Sequence, residues 1–258
     1  MHRFALHYPH QTNNKAMTIA LFVTVWTAGT PPVDLRNDFL YRPLDLLKSV
    51  PEVVSVDLFV PESGDVPQFD ESVVQALMIQ IDMKNVSDAE AFIQTDEFKR
   101  LILAESAYST PIEKLSLDAF ETVHFPLPGH KTPPPRTAAL SFIVRYYGPT
   151  GDQAAFVRFY TENHPPILAT LPGVRNVLCY LPLDWRSTKT VPGSGVILGN
   201  EVVFDNHDAL NWALQSDVMP RLIADGKRFP EFGFNTHHAM RRERIYSCAK
   251  INDHLLGR

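Results

Sequence analysis

His164 is the residue of this chain whose type and position best suit proton transfer. Imidazole accepts and returns a proton near neutral pH, as a general acid–base group must. His164 lies near the end of a predicted amphipathic helix that starts at about Asp152, directly before Pro165 and Pro166. Because the α region is disfavoured before proline, we expect the helix to break at His164 and its side chain to point beyond the helix. The alternative is a capping histidine that only hydrogen-bonds to backbone.

Arg145 and Tyr147, on the apolar strand before that helix, are the candidates for binding and protonating a substrate. An enclosed guanidinium binds carboxylate or lactone oxygens well, and a tyrosine hydroxyl can donate a hydrogen bond or a proton. The alternative for Arg145 is a structural ion pair with Glu201, since a buried charge needs a partner or a ligand. Tyr160, one helical turn before His164, can orient the imidazole, line a pocket mouth or pack in the core.

The elements that must position these residues occur twice along the chain. In each half, β-branched apolar runs predict strands, and apolar residues at helical spacing predict helices, in the order β-α-β-β-α-β. Residues 51–56 match 172–177, and residues 92–98 match 213–219, both at an offset of 121 positions. Two separate matches at one offset indicate an internal duplication.

This order predicts an α+β fold. A ferredoxin-like β-α-β-β-α-β repeat forms a four-stranded antiparallel sheet with both helices on one face, and the other face must be covered. We therefore expect the two repeats to pack sheet to sheet as one intramolecular α+β barrel, joined by a proline-rich linker. The predicted divisions are a tail at 1–16, repeats at 17–127 and 137–246, the linker at 128–136 and a second tail at 247–258.

Alternation along the strands sorts side chains between the helix-facing core and the barrel interior, because successive residues face opposite sides. The apolar set Phe142, Val144 and Tyr146 is expected under the helices. Arg145 and Tyr147 are then expected inside the barrel, where we place the site. The expected substrate-binding residues are Trp26, Tyr160, Tyr180, Trp185, Glu201, His237 and Arg241.

One ordered set of motifs in the second half resembles a known family. An apolar strand precedes a helix carrying Phe156, Tyr160 and His164, and Leu171-Pro-Gly-Val174 then leads into another strand. Over residues 137–246 this order resembles the EthD-like branch of the dimeric α+β barrel superfamily, which includes muconolactone isomerase and methylmuconolactone methylisomerase. The resemblance implies a cofactor-free enzyme in which His164 takes part in proton transfer.

The resemblance also limits what can be expected. Pro43 stands in the first half where His164 stands in the second, so we expect one site, in the second half. Val177 and Val202 stand where the methylisomerase carries polar or reactive residues. The resemblance therefore does not extend to that particular isomerisation.

Composition and motifs exclude several other classes. The net charge is −5 and Glu243 interrupts the one arginine-rich run, so nucleic-acid binding has no electrostatic basis. No apolar stretch approaches the ~18 residues of a membrane span, and two cysteines outside any CxxC motif fit a cytoplasmic protein. No metal-ligand spacing, nucleotide fingerprint or serine-hydrolase motif occurs, so we expect neither metal nor cofactor. Homodimerisation through outer surfaces is compatible with the sequence.

These observations lead to a functional hypothesis with two alternatives. We expect a cofactor-independent lyase, such as a decarboxylase or an elimination enzyme, or an isomerase, acting by proton transfer in the catabolism of aromatic compounds. Its substrate is expected to be a small aromatic or lactone-type carboxylate. The alternatives are a cofactorless monooxygenase of the same barrel class and a non-catalytic barrel that binds a small hydrophobic ligand.

Overall fold

The computed structural model describes residues 19–28, 35–41, 43–62, 73–103 and 112–248. The predicted N-terminal tail and most of the predicted C-terminal tail lie outside these residues. Among the described helices, none is long and apolar enough to cross a membrane.

The described residues form eight antiparallel strands that close into one barrel. The expected intramolecular barrel is therefore confirmed. Around it the strands follow the order β1-β3-β2-β8-β5-β7-β6-β4, and β4 pairs back with β1. The strands are β1 Ile19–Ala28, β2 Val53–Pro61, β3 Val73–Met83, β4 Lys114–Phe125, β5 Leu140–Tyr147, β6 Asn176–Pro182, β7 Val196–Phe204 and β8 Phe234–Ser247.

Each half of the chain contributes four consecutive barrel strands. The first half gives β4-β1-β3-β2 and the second gives β6-β7-β5-β8. Two antiparallel ladders, β2 with β8 and β4 with β6, hydrogen-bond the halves along both edges. Because both edges are paired, the described barrel leaves no open strand edge for another chain to extend.

Helices cover the outer face of the barrel. Asp152 accepts a hydrogen bond from the backbone N–H of Ala155 at 2.9 Å, and Asn206 accepts one from Ala209 at 3.0 Å. These side-chain caps fix where two of the helices that carry the site begin. The helices are α1 Leu35–Tyr41, α2 Pro43–Ser49, α3 Val86–Phe92, α4 Asp96–Phe98 with a π-helical turn at Lys99–Leu103, α5 Gln153–Leu168, α6 His207–Leu214 and α7 Met219–Gly226.

The expected break of the helix at His164 is wrong. Helix α5 continues through Pro165 and Pro166 to Leu168. A proline costs a helix its N–H donor and crowds the preceding turn, but its fixed φ is compatible with the α conformation. Burial of Pro165 and Leu168 on the barrel side favours the continued helix. His164 therefore lies on the buried face of α5, four residues after Tyr160.

The predicted alternation of side chains along β5 is confirmed. Val144 and Tyr146 pack with Phe156 and Tyr160 of α5, under the helices. Ile143 packs inside the barrel with Phe22 and other apolar side chains. The barrel interior and the helix-covered face are thus two separate cores, divided by the sheet.

Candidate functional site

A cavity of about 310 Å³ lies on the helix-covered side of the second half, outside the barrel. Its floor is the outer face of β5, β7 and β8, and its other walls come from α5, α6, α7 and the segment before β8. This size is at the lower end of small-molecule sites. The lining residues are Phe142, Val144, Tyr146, His164, Leu168, Leu171, Asn200, Val202, Phe204, Leu210, Leu214, Met219, Leu222, Ile223, Gly226, Phe229, Phe232, Asn235 and His237.

His164 of α5 is held at this cavity by Asp225 of α7. The Nδ1 atom of His164 lies 2.9 Å from Oδ2 of Asp225. Both side chains are buried, with residue exposures of 9% for His164 and 4% for Asp225. Arg228 approaches the other Asp225 oxygen from the solvent side, at 3.6 Å. Because Asp225 does not line the cavity, the histidine is the member of the pair that a ligand meets.

The surroundings of His164 suit it to act as a base. Burial lowers the pKa of His164 below its usual value, and the hydrogen bond and charge of Asp225 offset part of that decrease. The imidazole is therefore neutral near pH 7. A neutral imidazole that donates Nδ1–H to a carboxylate keeps its lone pair on Nε2. Nε2 is thus the atom that can accept a proton from a ligand in the cavity.

Aromatic rings fix the His164 ring in place. Its centroid lies 5.0 Å from that of Tyr160 and 5.1 Å from that of Phe229. Tyr160 is fully buried and packs against Tyr146 at 5.2 Å. Tyr160 does not line the cavity. Of the roles open to it from sequence, core packing and orientation of His164 fit its position, and lining a pocket mouth does not.

Three polar residues lie on the cavity floor, Asn200, Asn235 and His237, and two of them stand in one row across three strands. Val144 of β5 is directly opposite Asn200 of β7 on one side and His237 of β8 on the other. Burial lowers the pKa of His237 to about 4, so this ring is also neutral near pH 7. His238 is opposite Ile143 on the inner face, where its Nε2 lies 2.9 Å from the Thr236 hydroxyl oxygen. His237 and His238 therefore face opposite sides of the sheet.

The cavity walls carry no fixed charge. Among the described residues that line them, none is Lys, Arg, Asp or Glu, and most are apolar or aromatic. A carboxylate ligand would have no permanent cation to pair with. Within the described part of the chain, no group of three or more His, Cys, Asp or Glu could hold a metal ion. The site is therefore shaped for an uncharged, largely apolar molecule.

Arg145 is not part of this site. It faces the barrel interior, with 4% of its surface exposed. Its guanidinium donates to Thr24 Oγ1 at 3.3 Å, lies 2.6 Å from Met78 Sδ, and sits 5.7 Å from the Phe22 ring centroid. The sheet separates it from His164, so the expected site containing both residues inside the barrel is wrong.

Glu201 pairs with Arg136 rather than with Arg145. Arg136 comes from the predicted linker, and its guanidinium donates to Glu201 at 2.7 Å and to Asp57 at 2.5 Å. The Tyr180 hydroxyl also donates to Glu201. Sequence reasoning missed this because it assigned the linker no place inside the barrel. Since Glu201 is fully buried and Tyr180 nearly so, the pair serves the interior core rather than an open pocket.

The interior itself has almost no free space. A void of about 10 Å³ lies between Arg145, Tyr180 and the rings of Phe22 and Phe120. The Phe22 and Tyr180 rings meet edge to face at 4.9 Å. A void of this size is near the minimum for one water. Around Arg145 the described interior is therefore a packed core, and the expected pocket does not lie there.

The other predicted binding residues are spread over the molecule. Tyr147 stacks on Phe234 at 4.6 Å, at one end of the barrel. Trp26 lies under Lys114, whose Nζ is 4.8 Å from the ring centroid. Trp185 packs against the helix-side core of the first half. Arg241 pairs with Glu243 at 3.3 Å. Of the predicted set, only His164 and His237 line the cavity.

Sequence reasoning missed Asp225 and Asn200. For Asn200 a signal was available, because it interrupts the helix-facing series Leu198, Val202 and Phe204 with a polar side chain. For Asp225, no local pattern indicated the pairing, since its partner lies 61 residues earlier on another helix.

Comparison with solved structures places this fold among known barrels. An anthrone oxidase-like protein matches with a TM-score of 0.56 and 16% identity, over 90% of this chain and 94% of that one. A candidate monooxygenase from Fusobacterium nucleatum matches at 0.54 and 7%, over 92% and 98%. One from Lactobacillus acidophilus matches at 0.51 and 9%, over 88% and 94%.

Because the sequence identities are low, these matches show a similarity of fold alone. The fold they share with this protein is a closed barrel, in which the described residues of one chain supply all eight strands. A scan of protein-family models and a search of curated proteins found no match.

Proposed function

We propose that this protein is a cofactor-independent oxygenase that removes a proton from an uncharged aromatic substrate and lets the resulting carbanion react with O2. The observation that carries the proposal is the His164–Asp225 pair, with a 2.9 Å contact, on a cavity whose described walls have no charged side chain. Such a proton abstraction requires a base that is held in position next to the substrate, here in an apolar cavity.

The proposed reaction balances without a further reagent. His164 Nε2 takes one proton from a substrate methylene group, and the electron pair left on carbon reduces O2 as a new C–O bond forms. The peroxide anion recovers the proton from the His164 imidazolium. Loss of water then breaks the O–O bond, removes the second hydrogen from carbon and leaves a ketone. A methylene group and O2 thus become a carbonyl group and water.

Electrostatics favour the first step. Proton transfer creates an imidazolium cation beside the Asp225 carboxylate and an anion on the substrate. Beside largely apolar walls, a fixed charge stabilises such a developing partner more strongly than it would in bulk solvent. Asp225 is in place before reaction, so no reorganisation is required. Its geometry also supports the Nε2 lone-pair tautomer of His164.

We place oxygen chemistry ahead of the other proton-transfer reactions because of what the neighbours in fold are named. Two are candidate monooxygenases and one is anthrone oxidase-like. A second candidate, a proton-transfer lyase or isomerase, is favoured by His237, because returning a proton at a different carbon uses a second acid–base group, and His237 lies on the floor of the same cavity. In both cases we propose an uncharged substrate, in place of the carboxylate expected from sequence.

We also propose that the chain arose by duplication of an EthD-like unit, with one copy keeping the site. The equal strand order of the two halves and the sequence matches at an offset of 121 support this. The first half carries Pro43 where the second carries His164. Its helix-facing side is filled by large apolar side chains such as Phe39, Phe92 and Phe98.

Anthrone, a tricyclic ketone with an acidic ring methylene, is the probe for this proposal. Without oxygen, the wild type should exchange the methylene hydrogens for deuterium from D2O; with oxygen, it should consume O2 and form anthraquinone in equal amounts. His164→Ala should slow both processes by about 10²–10⁴-fold, the range for a general base. His130→Ala, at an exposed histidine in the predicted linker, is the matched control.

The outcomes separate the candidates. Exchange that depends on His164 but is not followed by O2 uptake would favour the lyase or isomerase. Binding of anthrone with neither exchange nor uptake would favour a ligand-binding barrel. Full activity in a folded His164→Ala protein would remove His164 from the mechanism.

A further inference from the structure

The Asn200 amide is a buried polar group at the cavity floor. Asn200 is 1% exposed, and its Oδ1 atom has no hydrogen-bond partner among the described residues. The residues next to it on the same face of β7 are apolar, Leu198 and Val202. A buried amide oxygen without a partner is costly for the folded protein. Its presence at a cavity wall points to a ligand that completes its hydrogen bonding.

The distance between Asn200 and His237 can be estimated from the pairing of the strands. Both are directly opposite Val144, so they lie two strand spacings apart on one face of the sheet. Neighbouring strands are about 4.8 Å apart, which separates the two residues by about 10 Å. Between them the floor is the apolar Val144 side chain, with Phe142 and Tyr146 on either side of it along β5.

We propose that Asn200 is a specificity-determining residue that selects flat, elongated arenes with an oxygen function at each end. One oxygen hydrogen-bonds to the Asn200 amide and the other to the His237 ring, while the fused rings lie over Val144. The amide can donate or accept, so a phenolic hydroxyl suits it in either orientation. The inference rests on the proposed function in that it names the substrate class of the same cavity.

Naphthalene alcohols test this directly, because they differ only in the number and place of their hydroxyl groups. 2,6-Dihydroxynaphthalene has hydroxyls at opposite ends, 1,8-dihydroxynaphthalene has both on one side, and 2-naphthol has one. Binding of each to the full chain is measured by titration calorimetry. In the wild type, the 2,6-diol should bind about tenfold more tightly than 2-naphthol, the factor that one additional buried hydrogen bond gives. The 1,8-diol should bind no more tightly than 2-naphthol.

Asn200→Leu, which keeps the side-chain size, should reduce the tenfold preference for the 2,6-diol to about one. Its urea midpoint should be unchanged or higher, because the variant removes a buried amide oxygen that has no hydrogen-bond partner among the described residues. Asn200→Val is the second variant, should leucine prevent folding. Asn211→Leu, on a half-buried residue of α6 that does not line the cavity, is the control and should keep the preference.

A wild-type protein that binds the three alcohols equally, or an Asn200→Leu protein that keeps the preference, would overturn the inference. In the second case the amide has a purely structural role, for example on a bound water. Binding is measured without turnover, so this result is independent of the anthrone experiment. Anthrone turnover that depends on His164, without a preference for the 2,6-diol, would refute this inference alone. The preference without turnover would refute the reaction alone.

Discussion

Replacing Asp225 with asparagine tests how the buried carboxylate acts on His164. Asp225 Oδ2 lies 2.9 Å from Nδ1 of the imidazole, and its charge and hydrogen bond raise the pKa of His164 against the opposing effect of burial. In Asp225→Asn only the desolvation remains, so the pKa of His164 should fall further below its usual value. An asparagine NH2 group can also donate to Nδ1, which would move the ring proton to Nε2 and block the base.

The size of the effect follows from the geometry. Two unit charges about 4 Å apart interact by about 4 kcal/mol at an effective dielectric constant of about 20. Arg228, at 3.6 Å from the same carboxylate, weakens the field of Asp225 at His164. A loss of about 3–4 kcal/mol in the stabilisation of the imidazolium corresponds to a fall of about 10²–10³ in turnover. The acid limb of the pH–rate profile should move to lower pH.

Side-chain nitrogen NMR of the histidines measures both effects without a substrate. The nitrogen shifts of His164 report the tautomer, and their titration reports the pKa. Asp208→Asn, at an exposed carboxylate in the first turn of α6, is the control. A His164 pKa that stays the same or rises in Asp225→Asn, with the tautomer unchanged, would refute this account of the pair.

Two further predictions concern stability. Arg136→Met should lower the free energy of unfolding by about 3–5 kcal/mol in urea titrations, because it leaves the fully buried Glu201 without its cation. Arg175→Met, which breaks an exposed ion pair, is the control and should change the free energy of unfolding little. Equal losses in the two variants would contradict the stabilising role of the buried Arg136–Glu201 pair. For His237, the folded-state pKa of about 4 lies below the unfolded value, so the folded form binds fewer protons and stability is lost as pH falls from about 6.5 to about 4. His237→Phe should therefore show a smaller drop in urea midpoint between pH 7 and pH 5 than the wild type; an equal drop would show that this histidine does not contribute.

Much of the architecture is encoded locally. The alternation in β5 can be predicted from the sequence, because the residues of one face, Phe142, Val144 and Tyr146, are apolar or aromatic. The other face carries the charged Arg145. A strand has a period of two residues, so a few side chains fix which face is buried. The continuation of helix α5 through Pro165 could not be predicted in the same way. Local backbone preference disfavours the helix there, and burial of the segment outweighs it.

The identity of His164 and the faces of the strands could be predicted from the sequence, but the location of the pocket could not. The chemistry of imidazole together with the family resemblance singled out His164, and strand parity placed Val144 under the helices. The same parity placed Arg145 and Glu201 inside the barrel, which is where they are. The error was to assume that an enclosed barrel is a pocket. Whether an interior is open or packed depends on summed side-chain volumes from eight strands, which no local pattern states.

The sequence by itself determined the order of the elements, the faces of the strands and the identity of the proton-transfer candidate, because each depends on residues that are neighbours along the chain. Only the tertiary structure decided what those residues meet. It brought Asp225 to His164 from 61 positions away, placed Arg136 of the linker on Glu201, and left the free volume under the helices rather than inside the barrel. Such pairings depend on how whole elements pack together, and packing is set by the shape and volume of the complete core.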